Sequence, residues 1–227
     1  LDIDMNFPKY KNFMFDVKNI YNNLKDEDII EIKEIESKVN HDVKSVEIFL
    51  RKKLTELNYN EYNEYIHFGL TSQDINSTSY VLSFYEANNN VIIPNIEILL
   101  DNLNELVNTY KNIPMLSRTH GQPASPTLLG KEMNVFSYRL TKQLKLLKKY
   151  EYSTKFGGAV GNFNSHYITY PGIDWIKFAD MFISSFGFNR NQYTTQIDIY
   201  DNYSELFDIL KRISVILLDL SRDMWLY

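Results

Sequence analysis

The sequence predicts an all-α protein, on two observations. Apolar residues recur at three- and four-residue steps through several long stretches, and those stretches are separated by short segments rich in Gly, Pro, Asn and Thr. The chain of 227 residues contains no cysteine, which excludes disulfide frameworks and thiolate metal sites. No apolar run approaches the ~18 residues of a membrane span; Ile213–Leu218 is interrupted by Ser214 and followed by Asp219. With no secretory leader pattern, the cytosol is the expected compartment. The net charge of −5, without a stripe of Lys or Arg, argues against a nucleic-acid partner.

The first strong helix starts near Val43. Val43, Val46, Phe49, Leu50, Leu54 and Leu57 share one face, and Lys44, Glu47, Arg51 and Lys52 share the other. Asn40-His41-Asp42 precedes it, so Asp42 is expected to cap the helix while His41 points away from its start. Thr71-Ser72-Gln73-Asp74 has the Thr-x-x-Asp spacing of a capping box and opens a second helix toward Tyr85 and Ala87. Asn88-Asn89-Asn90 and Pro94 are expected to break or kink it. A third run, from about Asn95 to Tyr110, carries Ile96, Leu99, Leu103 and Leu106, and Pro114 closes it.

Next comes Met115-Leu116-Ser117-Arg118-Thr119-His120-Gly121-Gln122-Pro123-Ala124-Ser125-Pro126, read as a loop held by its two prolines. A histidine so placed can exchange protons near neutral pH, although loop histidines also serve as surface or capping residues. Pro126 suits the first turn of the following helix. Leu129, Met133, Phe136, Leu140, Leu144 and Leu147 then follow at steps of four and three, as do Leu206, Leu210, Ile213, Leu217 and Leu220 near the end. Such seams imply core or helix assembly and no chemistry. Leu1 is not a start methionine and Met224-Trp225-Leu226-Tyr227 continues an apolar pattern, so the chain reads as a piece of a longer polypeptide.

Several connecting segments have the residue types for chemistry. Thr71 and Ser72 place two hydroxyls and free N–H groups at a helix start, which suits a carboxylate or phosphate. Gly157-Gly158-Ala159-Val160-Gly161-Asn162 holds three of the eight glycines, so its backbone turns tightly or approaches something closely. It lacks the Lys-Ser/Thr of a P-loop. Gln196 can donate an amide to a carboxylate. His67 and His166 are read as structural and hydrogen-bonded. No i, i+4 pair of His or Glu suggests a metal, and no Gly-x-Ser-x-Gly elbow suggests a serine hydrolase.

In their order along the chain these segments resemble one family. The residues concerned are Ser37-x-Val39-Asn40-His41-Asp42-Val43, His67-Phe68-x-x-Thr71-Ser72-x-Asp74-Ile75-Asn76, Ser117-Arg118-Thr119-His120-Gly121-Gln122-Pro123-Ala124 and Gly158-Ala159-Val160-Gly161-Asn162. The chain is similar to adenylosuccinate lyases of the bacterial-like branch, in the fumarase/aspartase superfamily, from about Glu34 to Tyr227. The resemblance implies a fumarase/aspartase-like long-helix bundle, a homotetramer with active sites shared among three subunits, and release of fumarate from adenylosuccinate and from the succinyl-carboxamide ribotide of purine synthesis. It implies His120 as general acid, Thr71, Ser72, Thr119 and Gln196 around the succinyl group, and Asn40, His41 and Asp42 near the nucleotide phosphate. It implies no metal or organic cofactor, because the substrate's own carboxylate delocalises the developing charge. Residues 1–112 would form an N-terminal helical domain and 113–227 the first part of the bundle domain.

The family's catalytic serine lies in a Ser-Ser-x-Met-Pro-x-Lys-x-Asn loop. Here Ser184-Ser185 is followed by Phe186-Gly187, so the general base is expected outside these residues. The family's early Arg-Tyr pair has no match before Asn40, and Gly157 stands where relatives often have Asn. Two alternatives remain: a sister lyase acting on argininosuccinate or aspartate, disfavoured by Gly121-Gln122-Pro123-Ala124, and a non-catalytic helical assembly.

Overall fold

A computed structural model describes residues 10–227. Its described residues form α1 (Tyr10–Asn22), α2 (Asp26–Val39), α3 (Asp42–Glu56), a 3₁₀ turn (Asn60–Tyr65), α4 (Ser72–Ala87), a π-helical turn (Asn88–Ile92) and α5 (Ile93–Tyr110). Then follow β1 (Pro114–Thr119), β2 (Gln122–Leu128), α6 (Leu129–Lys149), β3 (Ser153–Thr154), α7 (Asn164–Thr169), α8 (Trp175–Ser184), β4 (Asn189–Arg190) and α9 (Asp201–Leu226). The predicted all-α class holds, with two small two-stranded sheets added. None of the helices is long and apolar enough to cross a membrane, among the described residues.

The chain divides into two compact units. The first runs up to Ser77 and adds Phe156–Ile176 and Tyr193–Ile197; the second comprises Thr78–Lys155, Lys177–Gln192 and Asp198–Tyr227. Residues 112 and 113 both lie in the second unit, where α5 gives way to the hairpin.

In the first unit Leu54, Tyr59 and Tyr62 are buried, with Phe13, Val17, Ile20 and Ile66 packed on them. Val43 and Phe49 are buried as the α3 pattern predicts, whereas Val46 and Leu57 are exposed. Glu47, expected on the solvent face, is buried and accepts from Lys44 Nζ at 2.9 Å and Arg51 Nε at 3.0 Å. Two local cations let a carboxylate leave water where an unpaired one would not. α2 carries no buried residue, so its sequence shows no strong apolar stripe; Asp28 accepts the Lys25 N–H at its start, and Lys53 meets Asp28 at 2.9 Å.

In the second unit α5, α6 and α9 share one apolar core, including Ile96, Leu103, Phe136, Leu140, Leu206 and Ile213. Tyr203, Leu206, Ile209, Ile213, Ile216 and Leu220 are the buried residues of α9; the predicted Leu210 and Leu217 flank them, partly buried. Gly130 permits the close approach of α6 to α5, since a Cβ there would lie 2.6 Å from Val107 O and Lys111 Cα. The expected break at Asn88–Asn90 is instead a π-helical turn through which the chain stays helical. Buried Asn88 donates its side-chain amide to Tyr152 Oη at 2.8 Å, so a polar anchor holds the widened turn.

The loop expected around His120 is a β-hairpin, in which Pro114 pairs with Leu128 and Thr119 with Gln122. Its prolines argue against strands in sequence, but a two-stranded ribbon is all edge and leaves proline's missing N–H facing outward. Pro126 accordingly lies in β2, and α6 starts three residues later at Leu129.

Candidate active site

Two helix starts come together in the first unit. His41, rather than Asp42, caps α3: its Nδ1 accepts the Lys44 N–H at 3.2 Å, and Asp42 is already helical. The His41 Nε2 faces Ser72 Oγ at 3.2 Å across 31 residues of sequence. Asn76 on α4 donates to Asp42 Oδ2 at 2.9 Å. The Val43 N–H, then the Asn76 amide and the neighbouring His41, hold the Asp42 carboxyl below its ordinary pKa. The starts of α3 and α4 are thus tied side by side by two side-chain bonds, and both helix ends favour an anion. An open depression of about 700 Å³ lies at the α3 start, lined by Lys33, Glu36, Ser37, Asn40, His41 and Asp42. Asn40 closes α2 in the left-handed conformation, φ 52°.

Thr71 and Ser72 stand at the start of α4, both partly buried. Asp74 supplies the reciprocal half of the predicted capping box, its Oδ2 accepting the Thr71 N–H at 2.9 Å. The same carboxylate accepts from Gly157 N at 2.9 Å and Gly158 N at 3.0 Å. The glycine segment therefore both turns tightly, with φ +78° at Gly158 and +81° at Gly161, and approaches closely. A Cβ at Gly161 would come within 2.2 Å of Thr194 O, two residues before the exposed Gln196.

His166 is buried among Phe68, Phe156, Phe163 and Trp175, with the Trp175 ring centroid 4.8 Å away. It is structural in position, and its Nδ1 has no hydrogen-bond partner. Burial depresses its pKa, and the nearby Asp74 charge opposes that only in part. His67 is half-buried.

Thr119 and His120 belong to the second unit. Both are exposed at the hairpin tip, where His120 (φ 53°) and Gly121 (φ 75°) make a two-residue turn with both residues left-handed. Arg118 donates to Gly121 O at 3.2 Å across the turn, and Ser117 Oγ bonds Ser125 O. The imidazole is thus carried at the apex of the hairpin.

The first unit brings together His41, Asp42, Thr71 and Ser72, and links Thr71 through Asp74 and the glycines to the segment bearing Gln196. Sequence reasoning gave no site role to Asp74 and Asn76; the clue was that both lie within one helical turn of Thr71-Ser72. Among the described residues no three His, Asp or Glu side chains gather as a metal site requires.

The sequence pattern of the family described as Lyase matches residues 10–227, and the chain belongs to that family. Among solved structures, a fumarate lyase from Mesorhizobium sp. BNC1 superposes with a TM-score of 0.76 at 21% identity, covering 92% of this chain and 47% of that one. The 3-carboxy-cis,cis-muconate lactonizing enzyme from Pseudomonas putida has a TM-score of 0.72, also at 21% identity, covering 85% of this chain and 42% of that one. The expected fumarase/aspartase-like fold is borne out.

More particular are the relatives in sequence, which are adenylosuccinate lyases. That of Dictyostelium discoideum is 47% identical over 93% of this chain and 47% of its own length, and that of Escherichia coli K12 is 45% identical over 89% and 44%. The chain spans about half the length of the curated relatives it matches.

Proposed function

We propose that the protein to which this chain belongs is an adenylosuccinate lyase of purine nucleotide synthesis. It eliminates fumarate from adenylosuccinate, giving AMP, and from the succinyl-carboxamide ribotide. The observation that carries this reading is the pairing of the α3 and α4 starts through His41–Ser72 and Asp42–Asn76, which gathers anion-favouring groups from two of the four recognised motifs.

In the elimination a base takes the proton beside a succinyl carboxylate. The electron pair left on that carbon, delocalised into the carboxylate, forms the new C=C bond as the carbon–nitrogen bond breaks. An acid then protonates the departing exocyclic nitrogen. His120 suits the acid, since an imidazolium can give a proton near neutral pH. Thr71, Ser72, Thr119 and Gln196 suit the succinyl carboxylates as neutral donors, Asn40 and His41 suit the phosphate end, and the resemblance places Asp42 beside them. The base is assigned to sequence outside these 227 residues. The chemistry calls on no metal or organic cofactor. The α6–α9 face, where Tyr138, Leu146, Phe207, Val215 and Leu218 are exposed, supports a homo-oligomer, by resemblance a tetramer with subunit-shared sites. A cytoplasmic location and the division of the whole protein into a domain up to residue 112 and a bundle domain beyond belong to the same reading.

The test is turnover by the full-length protein. It should convert adenylosuccinate to AMP and fumarate, and His120→Gln should lower kcat by roughly 10²–10⁴-fold with far less change in substrate binding. Absence of turnover by the intact protein removes the activity, and a near-normal kcat in the His120 variant removes the acid role.

A further inference from the structure

Asp74 is 1% exposed, and nothing about a helix cap requires that burial. Its two oxygens serve backbone N–H groups from one near and one distant segment: Thr71 at the start of its own helix, and Gly157 and Gly158, more than eighty residues away. A carboxyl group offers acceptor lone pairs on both oxygens toward donors arriving from both sides; an amide would turn an NH₂ toward one of them.

The linkage continues beyond the glycines. Phe163 N donates to Gly157 O at 2.9 Å and Gly161 N to Gly158 O at 3.3 Å, which closes the glycine loop on itself. Its far end presses on Thr194 O through Gly161, where φ is +81° and no side chain fits. The His166 ring lies against Gly69, where a Cβ would come within 2.5 Å of Nε2, and Gly158 in turn lies next to Gly69, where a Cβ on Gly158 would be 3.2 Å from Gly69 O. From Thr71 through Asp74, Gly158 and Gly161 to Thr194 there is a continuous series of short contacts.

We propose that Asp74 is a positioning residue that sets the spacing between the Thr71–Ser72 hydroxyls and Gln196, so that the two ends grip one dicarboxylate. The inference rests on the reading of those residues as the succinyl site. Asp74 touches no reacting atom; it fixes the frame, and a misplacement of about 1 Å in such a frame costs on the order of 10²-fold in rate.

The experiment uses full-length protein saturated with AMP, to which fumarate is added, with affinity measured by calorimetry. In Asp74→Asn, fumarate affinity should fall by about tenfold or more while AMP affinity changes by less than about twofold, because one charge-assisted frame contact is lost at the succinyl end alone. Equal weakening of both ligands would mean general damage, unchanged fumarate affinity would mean no positioning role, and either overturns the proposal. Hydrogen exchange on the wild-type protein decides it even where that variant does not fold. Fumarate added to the AMP complex should slow exchange at Thr71, Gly157 and Gly158 together, and slowing at Thr71 without the glycines overturns the proposal. A wild-type protein that binds AMP but not fumarate instead sinks the underlying reading of the succinyl site.

Discussion

The shared core of α5, α6 and α9 and the surroundings of Asp74 fill their interiors in opposite ways. In the helical core Leu140, Leu147, Leu206 and Ile213 are buried with apolar neighbours on every side, and burial is itself the stabilising event. Around Asp74 the buried groups include a carboxylate, Ser77, a histidine and glycine N–H groups. Burial there costs free energy unless each polar atom finds a partner. The helical core therefore depends on hydrophobic residues at the right spacing, while the site depends on particular bonds between segments distant in sequence. A variant should damage stability alone in the first region and ligand handling in the second.

The largest effect that tests this contrast is in the core. Leu140 is fully buried, and Leu140→Ala in the full-length protein should lower unfolding free energy by about 2–5 kcal/mol, as deletion of buried methyl groups leaves a partly collapsed cavity. The KM of the remaining folded enzyme should stay unchanged. A denaturant titration beside a kinetic assay reads both, and an altered KM at full folding would erase the distinction between the regions.

A smaller effect with the opposite signature is expected at the α4 start. Ser72→Ala removes the hydroxyl facing His41 and should weaken substrate binding by about 1–3 kcal/mol, with little change in the denaturation midpoint. Loss of stability without loss of binding would return Ser72 to a simple packing role.

The smallest effect sharpens the account of the polar interior. His166 has its pKa depressed below 6.5 by burial, so the folded state binds fewer protons than the unfolded chain as pH falls. Its contribution to stability is complete above about pH 6.5 and is lost as pH drops through the lower folded value. Urea midpoints measured between about pH 7.5 and pH 5 should fall toward acid less steeply in His166→Phe than in the wild type. Equal slopes would show that the histidine carries a proton in the folded protein.

The helices with sharp apolar stripes, α3, α5, α6 and α9, were legible from residue spacing, because a 3.6-residue period writes one buried face directly into the chain. α2 was not, since it buries no side chain and so needs no stripe. The hairpin was hidden by Pro123 and Pro126, although His120-Gly121 between two short runs has the pattern of a tight two-residue turn. At the site, the hydroxyls of Thr71-Ser72 and the exposed His120 could be picked out because helix starts and turns are local features.

What the sequence determined by itself, then, was the class of fold, the helical seams and the short motifs, all set by neighbours a few residues apart. Only the tertiary structure decided that His41 and not Asp42 caps α3, that Glu47 is buried, and that Asp74 gathers N–H groups from Thr71, Gly157 and Gly158. The physical reason is shared by Glu47 and Asp74. A polar group enters the interior only when partners meet it there, and for Asp74 two of those partners lie more than eighty residues away.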